Sequence, residues 1–252
     1  MIANLMMYQR PQLVEAHSKY WALIRKHLSR AGIDSPETLS QDAEEFFVWN
    51  HPELILSQTC GMPYRTSLHG KVRLVGTPDY GVQGCPAGYY RSAIIVRADD
   101  ARTTISAFKG AVFAYNQTFS QSGYAAPFWH LSPEGFWFEH RLRTQQHLDS
   151  ARAVSTKSAD IASIDAVTWR NIETYEHFAR ELRVLEWTIP TPGLPLITAL
   201  GQDADLICAA VKHAIDELDD QSRFLLGIKG IVKIPSEEYL KVPNPDEDSA
   251  SH

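Results

Sequence analysis

Apolar residues in this chain recur at two spacings, and the spacing changes from one segment to the next. Between Pro11 and Gly32 they fall at 13, 14, 20, 21, 24 and 28, a helical period with proline near the first turn and glycine just past the last. Ile2 to Tyr8, Leu54 to Ser57, Val72 to Gly76 and "RSAIIVR" at 91–97 are short apolar or β-branched runs that predict buried strands. The alternation then restarts: a short helix over Thr103 to Lys109, a strand over Ala111 to Tyr115, a helix over Gly123 to Leu131 and another over Asp149 to Thr156. "ADIASID" at 159–165 alternates as a strand, "AVTWRNIETYE" follows as a helix, and "LRVLEWT" at 182–188 is a strand again. "TIPTPGLPLITA" at 188–199, with three prolines and a glycine, reads as a stiff return crossing, and Ala204 to Leu218 as a helix with one apolar face.

This alternation predicts an α/β chain with largely parallel sheets. The restart predicts two lobes, one built from 1–97 plus 190–252 and the other, 98–189, inserted into it. Crossings are expected near Val96 to Asp99 and Thr188 to Thr191, with a ligand cleft between the lobes. No period of ~20–50 residues repeats, which sets a solenoid aside. The C-terminal "VPNPDEDSASH" is acidic and proline-containing and reads as a frayed tail.

Composition narrows the function classes. A chain of 252 residues with 44% hydrophobic and 21% charged residues fits a soluble folded protein, and no apolar run approaches the ~18 residues of a spanning helix. The net charge of −6, without a basic stripe, argues against a nucleic-acid partner. "MIANLMMYQRPQL" has neither a basic leader nor a small-residue cleavage site, so the chain reads as cytoplasmic as it stands, or periplasmic with its leader removed. Cys60, Cys85 and Cys208 are too widely spaced for a zinc ribbon or a C-x-x-C pair, and the ten histidines form no H-E-x-x-H or comparable spacing. Neither a metal nor a cofactor is expected.

The richest polar stretch is "YNQTFSQSGYAA" at 115–126. With a strand before it and a helix after, Ser120, Gln121, Ser122 and Gly123 fall where backbone N–H groups lack partners and the helix dipole is positive. Such a turn is either an ordinary serine cap on the helix or a seat for an anion. Gln58 and Thr59 should emerge at the C-terminal end of a buried strand, where open α/β sheets bind ligands, and Tyr8 follows the first strand in the same way. For these residues, loop solvation or core packing competes with ligand contact. The glycine- and tyrosine-rich "GTPDYGVQGCPAGYYRS" matches neither a dinucleotide fingerprint nor a P-loop; Tyr80 and Tyr89 either pack beneath it or wall a ligand. Asp165 either caps the next helix or faces the cleft.

Read in order, "LILSQTCGMPYR", "VGTPDYGVQGCPAGYYRSAIIVRADD", "SQSGY", "ADIASIDAVTW" and "LEWTIPTPGLPLIT" resemble the phosphonate-binding-protein-like branch of the type 2 periplasmic solute-binding proteins. The resemblance covers nearly the whole chain. It implies a two-lobed α/β receptor that closes on a phosphonate, phosphite or phosphate-like anion and hands it to an ABC transporter permease. It also implies that the Ser-rich turn holds the anion, that His147 belongs to the site, and that Asp165 lies beside the ligand. A carboxylate there suits an ammonium group, and so a zwitterionic aminoalkylphosphonate. The chain departs from the pattern at "TQQHLDS", where Gln145 and Gln146 replace the small residues expected before the helix. The same superfamily also reaches thiamine-precursor and sulfonate binders. Two other functions compete: an enzyme using Cys60 or Cys85 as nucleophile, and a cytoplasmic ligand sensor.

Overall fold

A computed structural model describes residues 1–246, so the end of the predicted frayed tail, 247–252, lies outside the described residues. The strands are β1 (Ile2–Asn4), β2 (Leu54–Gln58), β3 (Val72–Asp79), β4 (Tyr89–Tyr90), β5 (Ser92–Arg97), β6 (Val112–Tyr115), β7 (His140–Arg143), β8 (Ile161–Asp165), β9 (Leu182–Trp187), β10 (Thr191–Pro192), β11 (Leu196–Ala199) and β12 (Gly230–Val232). The α-helices are α1 (Val14–Arg30), α2 (Glu45–Trp49), α3 (Gly61–Pro63), α4 (Ala126–Leu131), α5 (His147–Ser155), α6 (Ala166–Tyr175), α7 (Ala204–Glu217), α8 (Asp220–Leu226) and α9 (Ser236–Leu240).

The chain divides into two compact units, Met1–Tyr89 with Pro192–Leu240, and Tyr90–Thr191 with the residues after Leu240. Unit 1 is built on a five-stranded sheet in the order β1-β2-β11-β3-β12. Its core forms where one face of α1 (Ala16, Tyr20, Trp21, Ile24, Leu28) meets one face of α7 (Ile207, Ala210, Val211, Ala214, Ile215) above Ile55, Leu56 and Val75. Apolar spacing of three and four residues on both helices places these side chains on one stripe each. Asp203 starts α7, its Oδ1 accepting from Asp205 and Leu206 N–H at 3.0 Å.

Unit 2 is built on a second five-stranded sheet, β7-β6-β8-β5-β9. All six residues of β5 but the last, and every residue of β8, are buried. One face packs on Ala151, Val154, Trp169 and Ile172 of α5 and α6; the other carries Phe108, Phe113, Tyr115, Tyr124 and Phe138. Phe113 and Phe138 stack with ring centroids 4.8 Å apart.

The α/β class holds, with three corrections. The sheets are mixed: β1–β2, β6–β7 and β6–β8 run parallel, whereas β11 is antiparallel to β2 and β3, and β5 to β8 and β9. Residues 91–97, expected in the first lobe, belong to unit 2, because β5 is hydrogen-bonded between β8 and β9. The first crossing is therefore at Tyr89/Tyr90, while the second lies at Thr191/Pro192; the stretch after Leu240 also groups with unit 2, where the Trp129 indole donates to the Pro243 carbonyl at 3.1 Å. Finally, the proline-rich connection hides a central strand. Leu196, Ile197, Thr198 and Ala199 are all buried as β11, because Pro190, Pro192 and Pro195 precede the ladder without interrupting it.

Candidate anion-binding site

The site is assembled in unit 2 from the C-terminal ends of β6 and β8. After β6, the chain makes a π-helical turn over Gln121–Ala125 that runs directly into α4. Ser120 precedes the turn with extended backbone (φ −82°, ψ 127°), and its Oγ accepts from the Gly123 N–H at 3.0 Å. The cap is thus Ser120, three residues before the helix start the sequence predicts, and this releases Ser122 from capping. Gln121, Ser122 and Gly123 are all buried.

Ser122 is held on both of its polar groups. Its carbonyl accepts from the Ser163 hydroxyl at 2.7 Å, and its own hydroxyl lies 2.8 Å from Nε2 of His147. Burial lowers the His147 pKa to about 4, more than the Ser163 main chain raises it. The imidazole is therefore neutral near pH 7 and offers one donor and one acceptor. A neutral ring beside a hydroxyl at a helix start offers hydrogen-bonding groups without a fixed charge.

Gly123 is dictated by Asn116. A Cβ on Gly123 would lie 1.9 Å from Asn116 Oδ1 and 3.1 Å from His147 Cε1, so only glycine lets these three meet. Asn116 Oδ1 is itself buried without a hydrogen-bond partner. Neither Asn116 nor Ser163 was anticipated as part of this cluster. The signal for Asn116 was its place immediately after β6; in the sequence it registers only as the start of "NQT", a glycosylation-like match. Gln145, where a small residue is expected, has a left-handed backbone with φ 71°, and its N–H bonds to the Asn116 carbonyl at 3.0 Å. The preference for a small residue at this position is a preference for glycine's conformational range.

Asp165 is 2% exposed and caps α6: one carboxylate oxygen accepts from Val167 N–H at 2.7 Å and from Thr168 N–H at 2.9 Å. In unit 1, three of the expected residues come together. Gln58 Nε2 donates to the Leu194 carbonyl at 3.1 Å and reaches the Tyr80 hydroxyl at 3.4 Å, and Tyr80 meets Tyr8 edge-on at 5.0 Å between centroids. Thr59 is fully buried, its N–H on the Pro195 carbonyl. Tyr89 lies apart from this trio, against the cluster of Tyr64, Val72 and Tyr239. Cys60 is buried, Cys85 half-buried, and no disulfide joins them. Among the described residues, no cluster of His, Cys, Asp and Glu could hold a metal ion, and no helix is long and apolar enough to cross a membrane.

Solved structures share this fold throughout the chain. PhnD1 from Prochlorococcus marinus, in complex with methylphosphonate, is 14% identical with a TM-score of 0.72, covering 95% of this chain and 94% of its own. The binding protein component of an ABC phosphonate transporter from Pseudomonas aeruginosa is 14% identical, TM-score 0.69, covering 95% and 82%. A Xanthomonas citri protein, bound to chloride in one structure, is 15% identical, TM-score 0.69, covering 99% and 96%. At these identities the likeness speaks for the fold, the two-lobed one of periplasmic binding proteins. No curated protein sequence matches the chain. The family model described as "ABC transporter, phosphonate, periplasmic substrate-binding protein" does match, over residues 64–239. The chain belongs to the phosphonate-binding family of ABC transporter substrate-binding proteins.

Proposed function

We propose that the protein is a receptor, not an enzyme, that captures a small oxyanion of the phosphonate, phosphite or phosphate type by hinge closure for hand-over to an ABC permease. The observation that carries the proposal is the Ser122–His147 pair, set at the start of a helical turn whose Gly123 leaves room for Asn116 and His147 to pack against it. Ser120, Gln121, Ser122, Gly123 and His147 form the anion seat of this reading. Tyr8, Gln58, Thr59, Tyr80 and Tyr89 are the candidate contacts of unit 1. Methylphosphonate bound to PhnD1 supports the ligand class. Asp165 caps α6 through Oδ1 alone, so whether the ligand carries an ammonium group is decided by comparing methylphosphonate with 2-aminoethylphosphonate.

The test is thermal unfolding with methylphosphonate, phosphite, phosphate and sulfate, on protein purified free of these ions. A ligand at a hundredfold excess over its dissociation constant adds about 2.7 kcal/mol to stability. A melting temperature indifferent to all four would end this reading.

A further inference from the structure

The chain passes between its two units a third time, at Leu240/Lys241, and this short passage is anchored at both ends. On the near side, Tyr239 of α9 is buried in unit 1, its hydroxyl hydrogen-bonded to the Thr77 hydroxyl of β3 and its ring edge-on to Tyr64 at 5.3 Å between centroids. On the far side, the Trp129 indole N–H donates to the Pro243 carbonyl at 3.1 Å. Trp129 belongs to α4, the helix into which the Gln121–Ala125 turn of the anion seat runs directly. Its neighbour His130 lies 2.9 Å from Glu186 of β9, which ties α4 to the unit 2 sheet.

The passage itself is stiff. In "VPNP" at 242–245 the two prolines fix their own φ, and each restricts the residue before it to extended backbone. Four consecutive residues therefore lose little conformational freedom when they dock. An aromatic surface that donates to the carbonyls of a proline-containing extended segment is a recurring mode of peptide recognition. Phe128, edge-on to Trp129 at 5.4 Å between centroids, extends that surface. The hydrogen bond is solvent-exposed and worth little by itself, so the docking can open and re-form.

We propose that residues 241–245 are a strap, with Trp129 as its clasp, that restrains the seat-bearing unit against the unit that holds α9. Three peptide units reach at most about 11 Å, so a hinge movement that carries Pro243 farther than this from Leu240 must open the clasp. The strap favours the arrangement in which it is fastened and thereby sets part of the free energy of hinge movement, and with it the affinity for the captured anion. This rests on the hinge closure of the receptor reading, although the restraint itself is measurable without ligand.

The experiment is ¹H–¹⁵N spectroscopy of the deuterated full chain and of Trp129→Phe, which keeps an aromatic ring but loses the donor. In the wild type the Val242 and Asn244 amides should be as ordered as the helices, and residual dipolar couplings of both units should fit one common alignment. In Trp129→Phe both amides should become mobile and the units should no longer share an alignment. Pro243→Gly combined with Pro245→Gly loosens the strap but leaves the clasp donor in place, and should also lose the common alignment. Calorimetry with methylphosphonate then reads the coupling: Trp129→Phe should shift the affinity at least about threefold from wild type. Amides already mobile in the wild type, a common alignment kept in both variants, or an affinity unchanged in Trp129→Phe overturns the strap. A wild type that does not bind methylphosphonate ends the receptor reading instead, and the alignments alone then decide on the strap. If Trp129→Phe does not fold, the double proline variant supplies both measurements.

Discussion

The hydroxyl of Ser122 and Nε2 of His147 stand 2.8 Å apart, although the residues are separated by 25 positions in the chain. Since Ser120 holds the cap, Ser122→Ala removes only this hydrogen bond from the fold, at a cost of about 1 kcal/mol. Urea unfolding should show that modest loss, whereas calorimetry with methylphosphonate should show most of the affinity gone. Unchanged affinity would reduce the pair to a structural contact.

Acid should weaken the protein through His147. Its pKa is lowered from 6.5 to about 4 by burial, so between these values the unfolded chain binds a proton that the folded one refuses. Stability is then full above about pH 6.5 and declines by ~1.4 kcal/mol per unit as pH falls toward about 4, with no further loss below. His17, also lowered by burial, adds to the same arm. Melting curves of wild type and His147→Gln across this range should differ in slope, the variant being flatter.

Gly123→Ala should be costly, by about 1–3 kcal/mol, because the new methyl meets Asn116 Oδ1 and His147. Asn116→Ala alone should be close to neutral, since it removes a buried acceptor that has no partner. Combined, the two changes should cost less than Gly123→Ala alone, and a double-mutant cycle in urea measures that coupling.

Gln145→Gly should stabilise the protein, by at most about 1 kcal/mol. Relief of a left-handed backbone at φ 71° outweighs the entropy glycine gains on unfolding. The midpoint of urea denaturation should rise with no change in its slope.

Asp165→Ala should cost about 1–2 kcal/mol through the lost cap on α6. Affinities for methylphosphonate and for 2-aminoethylphosphonate should change in parallel. A selective loss of the amino compound would return Asp165 to direct ligand contact.

The fold was largely legible because its buried strands are short, β-branched and bounded by turns, as in "RSAIIVR" and "ADIASID". What escaped notice has physical reasons. β7 reads "HRLR" and has no buried residue, so it carries no apolar signal. β11 stands behind three prolines that look like a barrier to any strand. Strand direction depends on long-range pairing, and apolar runs do not encode it. Within the site, Ser122, Gly123 and His147 could be named from the sequence, but the assignment of the cap to Ser120 depends on where a π-helical turn begins. That turn is set by the packing of Tyr124 against Tyr115 and Trp137, invisible to spacing.

β11 also constrains the order in which the protein can mature during synthesis. It occupies the middle of the unit 1 sheet, between β2 and β3, yet it is translated only after residues 90–191 have been made. A chain emerging from the ribosome N-terminus first therefore holds β2 and β3 with a gap between them until Leu196–Ala199 arrives. The inserted unit, contiguous through most of its length, is the first to have its whole sheet available, and the half that begins the polypeptide is the last to close.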